Sequence, residues 1–436
     1  MKRFTYLIAT ISLCCSAITH AALLPVLPES VEAEAWTVID SHTQQVIAEH
    51  NPDVQRAPAS LTKMMVAYIA LKEIQAGKLS KSDVLTATPV VKMVMWDESQ
   101  MYLKEGEQIS VDQLLAGLIV MSANDAAVTL AEKISGSVPK FIERMNAEAK
   151  ALDMQHTHFQ NPAGVTMPEH YSTAADLAKL GLALVNQTPD YLDYSKQTSF
   201  SYNQRFHRAT NLLLKIDPTV DGLKTGFTRA AGYNLAATAH RMTLNTELPD
   251  RRLLVVVLGA KNAVKRAEVA HHLMNLGYSY TQNEVIIPKD YVLADLPVAH
   301  STQKQFKLMT EQATLITTSL YPSTAPIDLR QFDNSTQRIH LNLGNGMQQV
   351  LEPLTQTQTK VDFALKEQQL TAPLNAKMSL ASIDIYQNQK LLRTVEIEQQ
   401  VDLIEATWFE KLLMWMSHLL PFLSSDKQAL KTYPIG

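Results

Sequence analysis

The chain has 436 residues, 46% of them apolar and 19% charged, with a formal net charge of −4. That length accommodates two domains of ordinary size or three small ones, and the apolar share excludes a chain that is disordered throughout. The acidic balance, with no run rich in Lys or Arg, excludes general nucleic-acid affinity, which needs a basic face.

Lys2 and Arg3 precede a mostly apolar stretch over 6–18, and Thr19-His20-Ala21 supplies a small residue at a cleavage point. Residues 1–21 read as an export signal cut after Ala21. A retained transmembrane anchor is the rival reading, and the apolar core is short for one. The only two cysteines, Cys14 and Cys15, fall inside this leader without the small preceding residue of a lipoprotein. The processed chain then has no thiol, which excludes a disulfide framework and thiolate catalysis.

Residues 35–39 and 46–49 flank the polar turn Asp40-Ser41-His42 and predict a hairpin. Helical periodicity follows over 61–75, 111–122, 123–134, 139–152 and 174–186. The pattern then returns to strands at 223–228, 233–240 and 253–258, closed by an amphipathic helix over 263–280. Such a plan suits an antiparallel sheet whose early and late strands meet, with helices around it, over residues 22–285. After Pro288, Thr and Gln rise, and alternating runs at 314–317, 340–343, 361–365, 382–385 and 394–397 predict a small all-β module of about a hundred residues over 286–400.

The last segment is different again. Trp408, Leu412, Trp415, Met416, Leu419, Leu420, Phe422 and Leu423 share one half of a helical wheel, and Glu410, Lys411, Ser417 and His418 oppose them. This predicts an amphipathic helix over 405–424 lying in a membrane interface. Pro421 and the charges argue against a full span, and a terminal helix docked on the protein's own surface is the alternative.

Three short motifs carry chemistry. In Ser60-Leu61-Thr62-Lys63, which opens a predicted helix, the hydroxyl and the amine at i and i+3 share one face. A serine hydroxyl is a weak nucleophile until a neighbour takes its proton. A lysine does so once burial or a nearby cation favours its neutral form, and the helix N-terminus adds a positive field and free N–H groups. Ser122-Ala123-Asn124 offers a hydroxyl to relay a proton and an amide to hold a peptide backbone; a plain helix N-cap competes. Lys224-Thr225-Gly226, on the strand at 223–228, offers a cation for a carboxylate, able also to disfavour protonation of Lys63, and a glycine for close approach of a bound peptide; a surface turn competes. Each motif alone is weak.

In this order, Ser-x-x-Lys, Ser-x-Asn and Lys-Thr-Gly resemble the motif set of the penicillin-interacting serine enzymes. The flanks Arg56-Ala-Pro-Ala-Ser60, Asn161-Pro-Ala-Gly164, His170-Tyr-Ser-Thr-Ala174, Asp221-Gly-Leu-Lys224 and Ala231-Gly-Tyr-Asn234 resemble the low-molecular-mass D-alanyl-D-alanine carboxypeptidases. The resemblance implies an α/β (α+β) penicillin-binding, transpeptidase-like domain with an antiparallel five-stranded sheet flanked by helices. A small all-β domain and a C-terminal amphipathic helix would follow. It implies that Ser60 attacks the D-Ala–D-Ala bond, Lys63 is the general base and Ser122 relays the proton to the departing D-alanine. Lys224 and Thr225 would bind the terminal carboxylate, with Asn124 and Gly226 on the peptide. The backbone N–H groups of Ser60 and Phe227 would form an oxyanion hole worth ~3 kcal/mol per donor in comparable acyl transfers. No cofactor and no metal is implied. The partners implied are the peptidoglycan pentapeptide, β-lactams as covalent inhibitors that acylate Ser60, and a membrane surface met through the terminal helix, on the periplasmic face of a bacterial inner membrane.

Two positions depart from the pattern. Phe227 stands where several relatives have His, which predicts altered substrate preference. Thr210 stands where an arginine often assists the carboxylate, leaving Arg205, Arg208 and Arg266 as candidates for that task. Three other activities stay open. A serine β-lactamase would use the same motifs plus a glutamate for the deacylating water, but Glu143-Arg-Met-Asn146 lies close to Ser122 and lacks a Leu, and Glu169 lacks the following Asn. A DD-endopeptidase would do the same chemistry on cross-links, and the β module motivates an envelope scaffold with incidental catalysis. His156-Thr157-His158 and His271-His272 lack the acidic partners and spacing of a metal site, and no Gly-rich phosphate loop is present.

Overall fold

The structure, a computed structural model, describes residues 22–243, 248–321, 325–331, 359–387, 390–419 and 429–435. The expected leader, the strand expected at 340–343 and the end of the terminal helix at 420–424 lie outside the described residues.

Strands β1 (Ala35–Asp40) and β2 (Val46–His50) form the expected antiparallel hairpin. A 3-10 turn at Ala59–Thr62 runs into helix α1 (Lys63–Gln75). A ribbon of β3 (Val84–Thr86) and β4 (Gln108–Ser110) leads to α2 (Val111–Val120), started by a capping box between Ser110 and Gln113. Helix α3 (Asn124–Ser135) stops at Gly136, whose φ of +77° an L side chain rarely adopts. Then come α4 (Val138–Ala151), capped by Ser137 with Pro139 in its first turn, and α5 (Ala174–Gln187), capped by Thr173. Short pieces follow: α6 (Tyr191–Ser195), a ribbon of β5 (Ser199–Tyr202) and β6 (Arg205–Arg208), and α7 (Leu213–Ile216). Strands β7 (Val220–Thr228), β8 (Gly232–Arg241) and β9 (Arg251–Ala260) and helix α8 (Ala263–Tyr280), capped by Asn262, complete this part.

The sheet order is β2-β1-β9-β8-β7, antiparallel throughout. The hairpin from the start of the chain thus joins strands from its middle, and β7, which carries Lys224-Thr225-Gly226, lies at one edge. Side chains alternate across a strand, and β9 uses both sets. Leu254, Val256 and Leu258 join the core under α1 and α5, while Leu253, Val255 and Val257 pack under α8 with Leu273, Met274 and Leu276. A strand apolar on both faces must be central. Helix α1 is buried from Lys63 to Leu71, as a helix apolar all round must be.

The rest of the described chain is mainly β. Strand β10 (Thr281–Ile287) follows α8 without a break and pairs with β13 (Thr314–Ser319); β11 (Val292–Ala299) pairs with β12 (Gln305–Met309). β14 (Thr359–Leu365), β15 (Leu370–Thr371), β16 (Leu374–Gln387) and β17 (Lys390–Leu403) follow, with β14-β16-β17 as one sheet and β15 beside β11. Leu293, Leu296, Leu308, Leu380, Ile383, Ile385 and Val401 form its core. A buried polar seam joins it to the β1–β2 turn. Gln45 and the Thr317 main chain exchange two hydrogen bonds of 2.6 and 3.0 Å, and Arg393 donates to the Thr43 and Leu315 carbonyls. Helix α9 (Trp408–Leu419) comes next, and the two-residue strand β18 (Lys431–Thr432) pairs with β11. Among the described residues no helix is long and apolar enough to cross a membrane.

Candidate active site

The turn before α1 is held from two sides. Asn234 on β8 donates to the carbonyls of Ala57 (3.0 Å) and Pro58 (3.2 Å) and accepts from the Gly259 N–H. From β7, Gly226 comes so close that a Cβ there would sit 3.0 Å from both Pro58 O and Ser60 N. What the missing side chain admits is therefore the protein's own turn. On the other flank, a Cβ on Gly164 would lie 2.0 Å from the Ala59 carbonyl. Ser60 is thereby fixed on a half-buried turn just ahead of a buried helix.

Lys63 is 1% exposed. Its Nζ lies 2.9 Å from Ser60 Oγ and donates to the Ala163 carbonyl at 2.5 Å. Burial brings its pKa down from the ordinary lysine value to about 7, against the pull of the Glu98 and Asp125 carboxylates, which favour the charged form. Near neutral pH a large fraction of Lys63 is a free amine with Oγ within reach. The loop behind it is shaped by Asn161, whose Oδ1 accepts the N–H groups of Gly164 and Val165.

The second motif does not cap α3. Ala123 is the N-cap, with no side-chain hydrogen bond. Ser122 adopts φ +67°, a strained choice for serine, and its buried Oγ has no hydrogen-bond partner among the described residues. Asn124 is buried too. Its Nδ2 donates to Glu98 Oε2 at 2.5 Å, and its Oδ1 has no partner among the described residues. Asp125 holds the segment that carries Glu98 by accepting the Met101 and Leu103 N–H groups, both at 3.0 Å.

On β7, Lys224 is buried and donates to the Thr225 carbonyl, while the Thr225 hydroxyl shares a 2.5 Å hydrogen bond with Thr210. The Lys224 pKa is pushed well below the usual lysine range by burial and by repulsion from Lys63 and Arg266. Repulsion between two ammonium groups is mutual, yet the dominant cause at Lys63 is burial. Phe227 is exposed and packs on Tyr233 with ring centroids 4.3 Å apart. Of the candidate arginines, Arg266 reaches this strand: its guanidinium donates to the carbonyls of Asn234, Thr210 and Gly226 at 3.2, 3.2 and 3.4 Å. Arg205 instead stacks over Tyr102.

The structure thus brings Ser60, Lys63 and Gly226 into one tight contact set, with Lys224 near enough to feel Lys63. Four positions were not singled out by sequence reasoning. Ala163 acts through its main chain and leaves no side-chain signal. Glu98 sits in an aperiodic polar stretch. Asn234 and His170 appear there only inside flanking motifs, without a role. Beside Glu98 and Ala163 opens an apolar cleft of about 790 Å³, lined by Val90, Met93, Val138 and Met167.

A hydroxyl and a buried amine at the head of a central helix, under the edge strand of a five-stranded antiparallel sheet, define a serine hydrolase of the penicillin-binding class. Comparison with known proteins agrees. Residues 21–262 match the family description for peptidase S11, D-alanyl-D-alanine carboxypeptidase. D-alanyl-D-alanine carboxypeptidase DacC of Escherichia coli is 33% identical over 368 residues, 83% of this chain and 82% of that protein. Penicillin binding protein 5 from Haemophilus influenzae superposes with a TM-score of 0.66 at 27% identity, over 87% of this chain and all of that one. The ampicillin-bound penicillin-binding protein D2 from Listeria monocytogenes gives 0.50 at 31% identity, over 57% and 98%. The chain belongs to the D-alanyl-D-alanine carboxypeptidases of peptidase family S11.

Proposed function

We propose that the chain removes the terminal D-alanine from peptidoglycan pentapeptide stems through an acyl-enzyme on Ser60. One observation carries this reading: the Lys63 amine lies 2.9 Å from the Ser60 hydroxyl, in surroundings that bring its pKa to about 7. Neutral Lys63 takes the Ser60 proton while Oγ attacks the carbonyl of the penultimate D-alanine. The N–H groups of Ser60 and Phe227 receive the developing oxyanion. The unpartnered Ser122 hydroxyl passes the proton to the leaving amine, D-alanine departs, and water hydrolyses the ester.

In this reading Lys224 and Thr225 hold the substrate's terminal carboxylate, and the free Oδ1 of Asn124 accepts a peptide N–H. An arriving carboxylate favours the charged form of Lys224, so the substrate itself restores the cation that burial disfavours. β-Lactams would acylate Ser60 in the same way and leave slowly. The exposed apolar side chains of α9 support peripheral attachment to a membrane surface after export, which suits a wall substrate outside the cytoplasm.

Mass spectrometry after penicillin treatment tests the assignment. The adduct is expected on Ser60, together with release of free D-alanine from a pentapeptide, and both are expected to vanish in Ser60→Ala. A folded protein that gains no adduct at Ser60, or releases D-alanine equally well without that hydroxyl, overturns it.

A further inference from the structure

One buried imidazole stands between the turn that carries Ser60 and the loop that holds Lys63. His170 is 2% exposed and packs against the ring of Phe159. Its Nδ1 accepts the Gln160 N–H at 2.9 Å, so the proton sits on Nε2, which donates to Thr62 Oγ1 at 2.8 Å. Thr62 lies between Ser60 and Lys63 in the chain. Gln160 opens the loop whose Ala163 carbonyl accepts Lys63 Nζ and whose Gly164 lies against Ala59. A single side chain therefore ties together the two walls on either side of the Lys63 amine, and it does so in one tautomer only. A doubly protonated ring would present N–H to the Gln160 N–H and lose that bond.

We propose that His170 is a positioning residue for Lys63: the neutral Nε2–H imidazole clamps the 160–164 loop to the head of α1, and this closure keeps water away from the amine. The inference rests on the reading of Lys63 as the base. Its surroundings keep the ring neutral. The His170 pKa is lowered to about 4, first by burial and then by repulsion from His158 and Lys63, and Arg56 lines the same adjoining cleft. The clamp is thus complete at every pH at which Lys63 can act, and opens only in acid.

The rate at which a fluorescent penicillin acylates Ser60, followed from pH 4 to 10, tests the clamp. In the wild type the rate is expected to rise as Lys63 loses its proton near pH 7. In His170→Ala water reaches the amine and the rising limb is expected to move up by about one pH unit, with a roughly fivefold lower rate at pH 7 and recovery at high pH. His170→Gln, whose amide offers one acceptor and one donor, is expected to bring the limb back. A limb that stays in place in His170→Ala, or a loss equal at every pH, overturns the inference. Should His170→Ala not fold, Thr62→Val leaves the imidazole but removes its acceptor, and the same upward displacement is required of it. Wild-type protein without a Ser60 adduct would sink the base assignment itself; an adduct with an unmoved limb would sink the clamp alone.

Discussion

Helices α1 and α9 break the ordinary rule of burial in opposite directions. Helix α1 hides a lysine amine from solvent with no ion pair among the described residues to hold its charge, a place where ammonium groups are almost never found. Helix α9 leaves Trp408 77% and Trp415 60% exposed, with Phe409, Leu412, Leu413 and Met416 also in the open. Thr407 and Glu410 form a capping box at its start, so it is a properly begun helix and not a frayed tail. Each departure carries a free-energy penalty that the fold alone does not require. In α1 the penalty favours the neutral amine; in α9 it leaves an apolar surface in the open.

The sharpest way to break the comparison is to remove the misplaced charge. Lys63→Met is expected to slow acylation of Ser60 by about 10²- to 10⁴-fold, the usual range for a positioned base. The same variant is expected to be more stable at pH 7, by about 1 kcal/mol or ~2–4 °C in Tm. The sign follows from proton counting. With a folded pKa near 7 against 10.5 unfolded, the unfolded chain binds more protons there, so the site's contribution to stability grows from pH 7 to 10.5 and is lost as pH falls through 7. A Tm that does not rise in the variant would mean the amine is not strained by burial. Calorimetry and stopped-flow acylation read the two halves.

Gly164→Ala attacks the same end through the backbone. Its φ of +82° and the 2.0 Å approach to Ala59 O predict a loss of ~1–3 kcal/mol, read by urea unfolding. At α9, Trp408→Asp with Trp415→Asp is expected to lower co-sedimentation with anionic vesicles by about tenfold or more and to leave penicillin acylation unchanged. Equal vesicle binding would make the helix a surface for protein instead. The smallest effect is expected from Phe227→Leu, which loses the stacking on Tyr233 and about 0.5–1.5 kcal/mol; an unchanged melting curve would show the ring serves substrate only.

Long periodic elements were legible before the structure. The apolar run at 253–258 reads as a strand and 263–280 as an amphipathic helix, while the burial of that strand on both faces emerged only with the sheet order. The ribbons β3–β4 and β5–β6 were not legible, because three or four residues carry no measurable period. Strands β11 and β12 escaped as well, since Pro297 and short alternations blur them. At the site, Ser60, Lys63, Ser122, Asn124, Lys224 and Thr225 stood out because their chemistry sits in side chains at fixed spacing. The Ala163 carbonyl could not stand out, since any residue there would supply it. Gly226 was legible as a place of close approach, but which partner approaches depended on the sheet bringing β7 beside residues 58–60.

Lys224 has a consequence of its own. Burial, Lys63 and Arg266 all favour the neutral form of Lys224, so on the proposed reading a docking carboxylate draws a proton from bulk solvent onto this amine. Ligand binding is then coupled to the ionisation heat of whatever buffer surrounds the protein. Titration calorimetry of a D-alanine-terminated inhibitor at one pH should give different apparent enthalpies in phosphate and in Tris, and the slope between them counts the hydrogen ions drawn in.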